Sequence, residues 1–326
     1  MEYSIVIILL FILILVYFKI ADKYNIIDKP NHRSAHAQIT LRGGGVIFPM
    51  AFILFSLFHI NAIIEHYWSF GLGLLSICTI SFMDDLKPLS NRVRLSVHFF
   101  SVALLLYFAN TFTVFPFWVW PVFFILIIGS LNAYNFMDGI NGITGIYSLV
   151  TLGFLAYANH DFFSFTDEDF ILYPMIACLI FLFFNFRKKA KCFAGDVGSM
   201  GIGFWILALI TLLIIKTGEY KFILLLSVYG VEVVLTIIER IMIKENIFEA
   251  HRRHLYQLFA NEKKVSHLKI SMAYGIVQLG INIYLINSHL PFCIDALIIL
   301  FPLGTIYLLL KLNIKKSHKF QHNIKS

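Results

Sequence analysis

Residues 3–20 read YSIVIILLFILILVYFKI, with Lys19 near the end as the only charge. As a helix this stretch extends about 27 Å at ~1.5 Å per residue, close to the ~30 Å of bilayer hydrocarbon. No basic leader precedes it and no small-residue cleavage site stands before Ala21, so it is expected to remain as a helix rather than to be removed as a signal peptide. A membrane is therefore the first expectation, and the rest of the chain repeats the pattern.

Apolar stretches of similar length recur at 44–63, 67–83, 95–110, 117–134, 142–158, 170–186, 199–215, 221–239, 269–287 and 292–311. With the first they make eleven. Hydrophobic residues are 59% of the 326-residue chain and charged residues 14%, against roughly 25% charged in a soluble domain. The net charge of +7 alone would suggest nucleic acid, but its placement excludes that partner. If connections alternate sides, segments 21–43, 84–94, 135–141, 187–198, 240–268 and 312–326 hold 4, 3, 0, 4, 6 and 4 Lys and Arg, while the other side holds Lys216 and Lys221. The positive-inside rule makes the basic set cytoplasmic and the N-terminus periplasmic. The four cysteines, Cys78, Cys178, Cys192 and Cys293, form no C-x-x-C pair and are given no redox or metal role. With no internal repeat and no separate soluble stretch, residues 1–326 read as one membrane domain.

The polar residues that remain cluster in five cytoplasmic segments. In SFMDDLKPLSNRVR (81–94), Asp84 and Asp85 sit where a helix leaves the membrane, followed by Lys87, Arg92 and Arg94. Adjacent residues point about 100° apart on a helix, which suits a division of labour, although a solvated helix end would look alike. In LNAYNFMDGINGITG (131–145), Asn132, Asn135, Asp138 and Asn141 recur every three residues, expected to line one helical face. Such a stripe is hard to explain as packing, because an unpaired polar group is costly in hydrocarbon.

In KCFAGDVGSMGIG (191–203), Asp196 lies between glycines at a helix start, where it suits a Mg²⁺ ligand or an acidic cap. EAHRRHLYQLF (249–259) places His251, Arg252, Arg253 and His254 in the longest loop, the two histidines expected on one helical face as partners for phosphate or uracil. DKPNHRSAHAQITLRGGG (28–45) sets Arg33, His36 and Arg42 ahead of three glycines. That composition suits a phosphate or an anionic lipid surface. Converging carboxylates, amides, histidines and arginines imply a phosphate-bearing, metal-dependent substrate, and the apolar remainder implies a lipid.

With these segments in order, the chain resembles the polyprenyl-phosphate N-acetylhexosamine-1-phosphate transferase superfamily, which includes phospho-MurNAc-pentapeptide translocase and the undecaprenyl-phosphate GlcNAc-1-phosphate transferases. The resemblance covers roughly residues 25–260. It rests on Asp28, Pro30, Asn31, Arg33, Ser34, His36, Arg42, Gly43 and Gly44; on the Asp84–Asp85 pair; on Asn132, Asn135, Asp138 and Gly139; on Gly195, Asp196, Gly198 and Ser199; and on His251 and His254. The histidine motif is more similar to the branch that initiates O-antigen, capsule or exopolysaccharide repeats than to the peptidoglycan enzyme.

The resemblance implies an all-α polytopic protein of about ten to eleven transmembrane helices in a bacterial inner membrane, with its active site at their cytoplasmic ends. It implies transfer of a sugar-1-phosphate from a UDP-N-acetylamino sugar to undecaprenyl phosphate with release of UMP. Mg²⁺ is the expected ion, with room for Mn²⁺ in its place and for a homodimer. Asp196 and Asp84 would be metal ligands; Asp84, Asp85 and Asp138 would be catalytic. Asn135, Asn141, Arg33, Arg42, Arg94, His251, Arg252 and His254 would bind substrate. One-step and covalent two-step transfer both fit.

Three positions depart from the family pattern: Asn141 in place of a second aspartate, His98 in place of a glutamine, and NFRKKAKCFAGD, which lacks a proline and is one residue longer. From other classes, a secondary transporter of anionic solutes would show a repeat and midplane polar groups. An intramembrane aspartyl protease would pair acids inside helices rather than at their ends.

Overall fold

A computed structural model describes residues 2–28, 39–246, 249 and 251–325, with side chains as far as Ile314. Among these residues eleven long helices stand on the eleven expected stretches. They are α1 (Glu2–Lys23), α2 (Ile47–Phe58), α3 (Trp68–Leu86), α4 (Asn91–Phe108), α5 (Trp120–Met137), α6 (Ile143–Ala158), α7 (Asp169–Asn185), α8 (Gly195–Thr217), α9 (Ser227–Met242), α11 (His267–Asn287) and α12 (Phe292–Lys325). A short α10 (Leu255–Asn261) lies in the long loop. Strand β1 (Ile27–Asp28) pairs antiparallel with β2 (Thr40–Leu41), the only strands described.

Seven helical stretches are long and apolar enough to cross a bilayer: 2–23, 60–86, 117–137, 195–217, 220–242, 267–287 and 292–314. The chain is a polytopic membrane protein. Helices α2 and α7 are apolar but shorter. At ~1.5 Å per residue the 12 residues of α2 rise about 18 Å, too few to span alone.

Burial explains how uniformly apolar helices find their place. In α1 the stripe Val6, Leu10, Ile14, Tyr17 and Ala21 is buried against α2 and α7, while Ile5, Ile8, Ile12 and Val16 are exposed. The spacing of three and four is that of one helical face. Apolar residues on the other face have lipid as their solvent. Helix α8 is the opposite case, with 89% of its apolar window buried. It is the central post, packed by α2, α3, α5 and α6.

Glycines permit the closest approach. A Cβ built on Gly45 would lie 2.0 Å from the Gly198 Cα, so the segment before α2 and the start of α8 touch backbone to backbone. Hydrogen bonds stitch the same seam: Gly44 N–H to the Phe193 carbonyl (2.8 Å), Gly45 N–H to the Ala194 carbonyl (3.0 Å) and Phe193 N–H to the Leu41 carbonyl (2.8 Å). Arg42 and Asp196 are thereby brought to the same end of the bundle.

Candidate active site

Three helix ends deliver the four acids. Asp84 and Asp85 occupy the last turn of α3, Asp196 the first turn of α8, and Asp138 the turn after α5. The two adjacent acids diverge, as their helical spacing requires, and each takes its own arginine. Arg94 Nη1 lies 3.0 Å from Asp84 Oδ2, and Arg42 Nη2 lies 2.7 Å from Asp85 Oδ1. Asp196 stands between them, 3.8 Å from Arg94 Nη2 and 3.9 Å from Arg42 Nη2.

Local structure fixes each group. Asp84 Oδ1 accepts the Leu89 N–H (2.7 Å), which caps the turn leading to α4. The Asp85 side chain is buried and its Oδ2 accepts the Val197 N–H (3.2 Å), one of the free amides that open α8. Gly195, at φ 71°, has no room for a side chain: a Cβ there would meet Asp85 Oδ2 at 2.6 Å. The Tyr17 hydroxyl donates to the Arg42 carbonyl (2.7 Å) and steadies the arginine's backbone.

Helix α5 stops at Met137, so Asp138 and Asn141 do not continue the expected helical stripe. The cause is Gly139 and Gly142, the latter at φ 88°, which an uninterrupted helix could not hold. Asp138 Oδ1 accepts the Thr144 hydroxyl (2.6 Å). Burial pushes the Asp138 carboxyl up to about 7, Asp196 and Asp85 add to the rise, and Thr144 and Arg42 oppose it. Asn141 turns inward, donating to the Arg187 carbonyl (2.7 Å), and is buried away from the cavity described next. Asn185 joins that layer by accepting the Gly142 N–H (2.6 Å) and donating to the Cys192 carbonyl (2.8 Å).

A cavity of about 490 Å³ opens beside Asp196 and Arg94. Asn132 and Asn135 line one side, His98 and Asn91 another, and His251, His254, Arg240, Glu249 and Gln257 a third. Asn135 Nδ2 donates to the Ser199 hydroxyl (3.2 Å).

The histidines meet in a different way from that expected. Residues 251–253 are not helical and His254 is the cap of α10, yet the two rings lie 4.9 Å apart. Burial holds both neutral. It pushes His251 down to about 4, aided by Arg240, and His254 down to about 3, aided by His251. Neither ring nitrogen of His254 has a hydrogen-bond partner among the described residues. Arg252 is half-buried in the same loop and does not line the cavity. Arg33 lies outside the described residues.

Two residues that the sequence reading passed over support this wall. Glu232 is buried in α9, accepting the Tyr256 N–H (3.2 Å) and the Tyr274 hydroxyl, with His254 Nδ1 3.8 Å away. Arg240, also buried, donates to the Glu249 carbonyl (2.9 Å) and to that of Asn246. An acid in the middle of an apolar span was the available signal for Glu232.

Oxygen donors of this kind suit a hard divalent ion such as Mg²⁺ or Mn²⁺, which takes one or two carboxylates together with phosphates and water. Four carboxylates, Asp84, Asp85, Asp138 and Asp196, gather here with two arginines, Arg42 and Arg94, so a cation fits the donor set.

An integral membrane protein with a carboxylate–arginine centre at its helix ends belongs to the class that handles anionic groups beside a lipid. Comparison with known proteins makes the class specific: residues 67–214 match the model of glycosyl transferase family 4. The chain is similar to that family over this stretch, a little under half of its length. It is 24% identical over 286 residues to the undecaprenyl-phosphate alpha-N-acetylglucosaminyl 1-phosphate transferase of Thermotoga maritima, covering 84% of this chain and 88% of that one. It is 27% identical over 233 residues to the phospho-N-acetylmuramoyl-pentapeptide-transferase of Aquifex aeolicus, covering 60% of this chain and 64% of that one. The family match spans Asp84, Asp85, Asn135, Asp138 and Asp196 and leaves out Arg42 and the histidines.

Proposed function

We propose that this protein transfers an N-acetylhexosamine-1-phosphate, with GlcNAc or a related N-acetylamino sugar as the sugar, from its UDP donor to undecaprenyl phosphate. The reaction releases UMP at the cytoplasmic face of a bacterial inner membrane and begins a cell-envelope polysaccharide of the O-antigen or capsule kind. The observation that carries this reading is the meeting of Asp84, Asp85, Asp138 and Asp196 with Arg42 and Arg94 beside a cavity, at the ends of lipid-facing helices.

In the reaction an oxygen of the lipid phosphate attacks the sugar-bearing phosphorus. A new P–O–P linkage forms, and the bond to the UMP phosphate breaks with its electron pair leaving on UMP. Both reactants are anions, so their approach must be offset by positive charge. Arg42 and Arg94 each already contact two carboxylates and can exchange one for a phosphate oxygen. Asp84, less enclosed than Asp85, is the group to orient or deprotonate the lipid phosphate, while Asp85 holds the start of α8. Asp196 and Asp84 would hold Mg²⁺, which would neutralise diphosphate charge in the transition state. The neutral His254 and His251, with Asn135 across the cavity from them, would donate hydrogen bonds to the nucleotide-sugar.

The test is UMP release by purified protein given undecaprenyl phosphate, Mg²⁺ and a panel of UDP-N-acetylamino sugars. Release that needs the lipid, stops with EDTA and is fastest with one donor supports the reading and identifies the sugar. Donor flux into proteoliposomes with no UMP from any donor overturns it in favour of a transporter.

A further inference from the structure

We propose that Glu2, His59 and Asp169 form a binding site for a zinc-type divalent cation at the end of the bundle opposite the carboxylate centre. The three residues come from three helices: Glu2 opens α1, His59 ends α2 and Asp169 opens α7. One ligand atom from each lies within 4.8 Å of the others. Acids in the first turn of a helix are ordinary, because they suit its dipole. A histidine aimed between two of them from a third helix is not explained in that way.

The distances favour a shared ion over hydrogen bonds. His59 Nε2 is 3.4 Å from Glu2 Oε1 and 3.2 Å from Asp169 Oδ2. Charge-assisted hydrogen bonds run at roughly 2.7–2.9 Å, and the buried Nε2 atom makes no hydrogen bond among the described residues. Ligands held at ~2.0–2.1 Å around a tetrahedral ion sit about 3.3 Å from one another. The two spacings from His59 are those of that tetrahedral edge.

Outer hydrogen bonds orient the ligands. The Tyr3 hydroxyl donates to Asp169 Oδ1 (2.7 Å), leaving Oδ2 toward His59, and the Tyr173 hydroxyl donates to Glu2 Oε1 (2.7 Å). His59 itself lies within 4.8 Å of Phe55, ring to ring, which limits its rotation. The imidazole nitrogen selects zinc-like ions over Mg²⁺ or Ca²⁺. With side-chain exposures of 38%, 25% and 23% the site is open to solvent, and water can take the fourth position. Its role is to clamp α1, α2 and α7 at their shared end. This site is independent of the catalytic reading.

The experiment uses the full-length protein in detergent, stripped with EDTA, returned to excess Mg²⁺ and titrated with Zn²⁺, reading bound zinc by mass spectrometry and the thermal midpoint. One equivalent of zinc and a rise in midpoint are expected for wild type and for Asp196→Asn. His59→Gln and Asp169→Asn should lose that equivalent or bind it at least tenfold more weakly. Two outcomes overturn the proposal: equal zinc binding by wild type and both variants, or no zinc bound by wild type. In the second case the triad is a metal-free ion pair network.

Discussion

The two walls of the candidate cavity are built on different physical terms. The carboxylate wall is anchored by helix ends, backbone hydrogen bonds and glycine contacts that leave no space for a side chain, and it pairs carboxylates with arginines. The histidine wall is a loop whose rings are neutral, with its support coming from Glu232 and Arg240 behind it. On the proposed reaction, charge that opposes phosphate repulsion is held by helix ends, whereas the groups that would meet a neutral base or sugar sit on a loop.

The sharpest way to break this comparison is to remove one group from each wall. Under the proposed reaction Asp196→Asn should lower kcat by about 10³-fold or more, since a ligand of the Mg²⁺ that would neutralise diphosphate charge is lost. His254→Ala should cost on the order of 10–100-fold, mostly in KM for the nucleotide-sugar, because that contact is made equally in ground and transition states. UMP-release kinetics on folded protein check both. A larger kcat loss for His254→Ala than for Asp196→Asn would reverse the assignment of the walls.

The second way is to open the seam beneath the carboxylate wall. A side chain at Gly198 would meet the Gly45 Cα at 2.7 Å, and both partners are backbone with no rotamer to yield. Gly198→Val should therefore destabilise by more than ~3 kcal/mol, beyond ordinary overpacking, and show as lost monodisperse protein in detergent. Gly230→Ala, where a Cβ meets nothing, is the control and should leave the yield unchanged.

Much of the fold was legible because lipid imposes a plain rule: every apolar stretch long enough to be a helix became one. Lengths were less legible. The stretch at 44–63 carries apolar residues across a break at His59, which the structure shows ending α2, and hydropathy alone passes over such a break. Within the site, Asp84, Asp85, Asp138, Asp196 and Arg42 stood out because charge at a helix end is costly in an apolar chain. Which arginine pairs with which aspartate was not readable, since it depends on the seam between residues 41–46 and 192–198, far apart in sequence. Asn141 shows the converse limit: its three-residue spacing suggested a shared face, and the glycines on either side of it, Gly139 and Gly142, break the helix there and send it inward.

The smallest effect, and the one that compares the walls most directly, is their opposite response to pH in the absence of divalent ions. Asp138 has its folded value raised to about 7 from an ordinary 3.8, so the folded state binds more protons than the unfolded state between those values. Its contribution to stability is then lost as pH rises from about 4 to 7. His251 has its folded value lowered to about 4 from 6.5, so there the unfolded state binds more protons, and its contribution grows as pH rises over nearly the same window. In EDTA, Asp138→Asn should make the thermal midpoint climb more steeply with pH between 4 and 7, and His251→Gln should make it climb less. Adding Mg²⁺ should flatten the Asp138 contribution, because a bound cation favours the ionised carboxylate, and should leave the His251 contribution in place. Slopes that move together in the two variants would mean that the walls titrate as one unit and that the division between a charged and a neutral side is wrong.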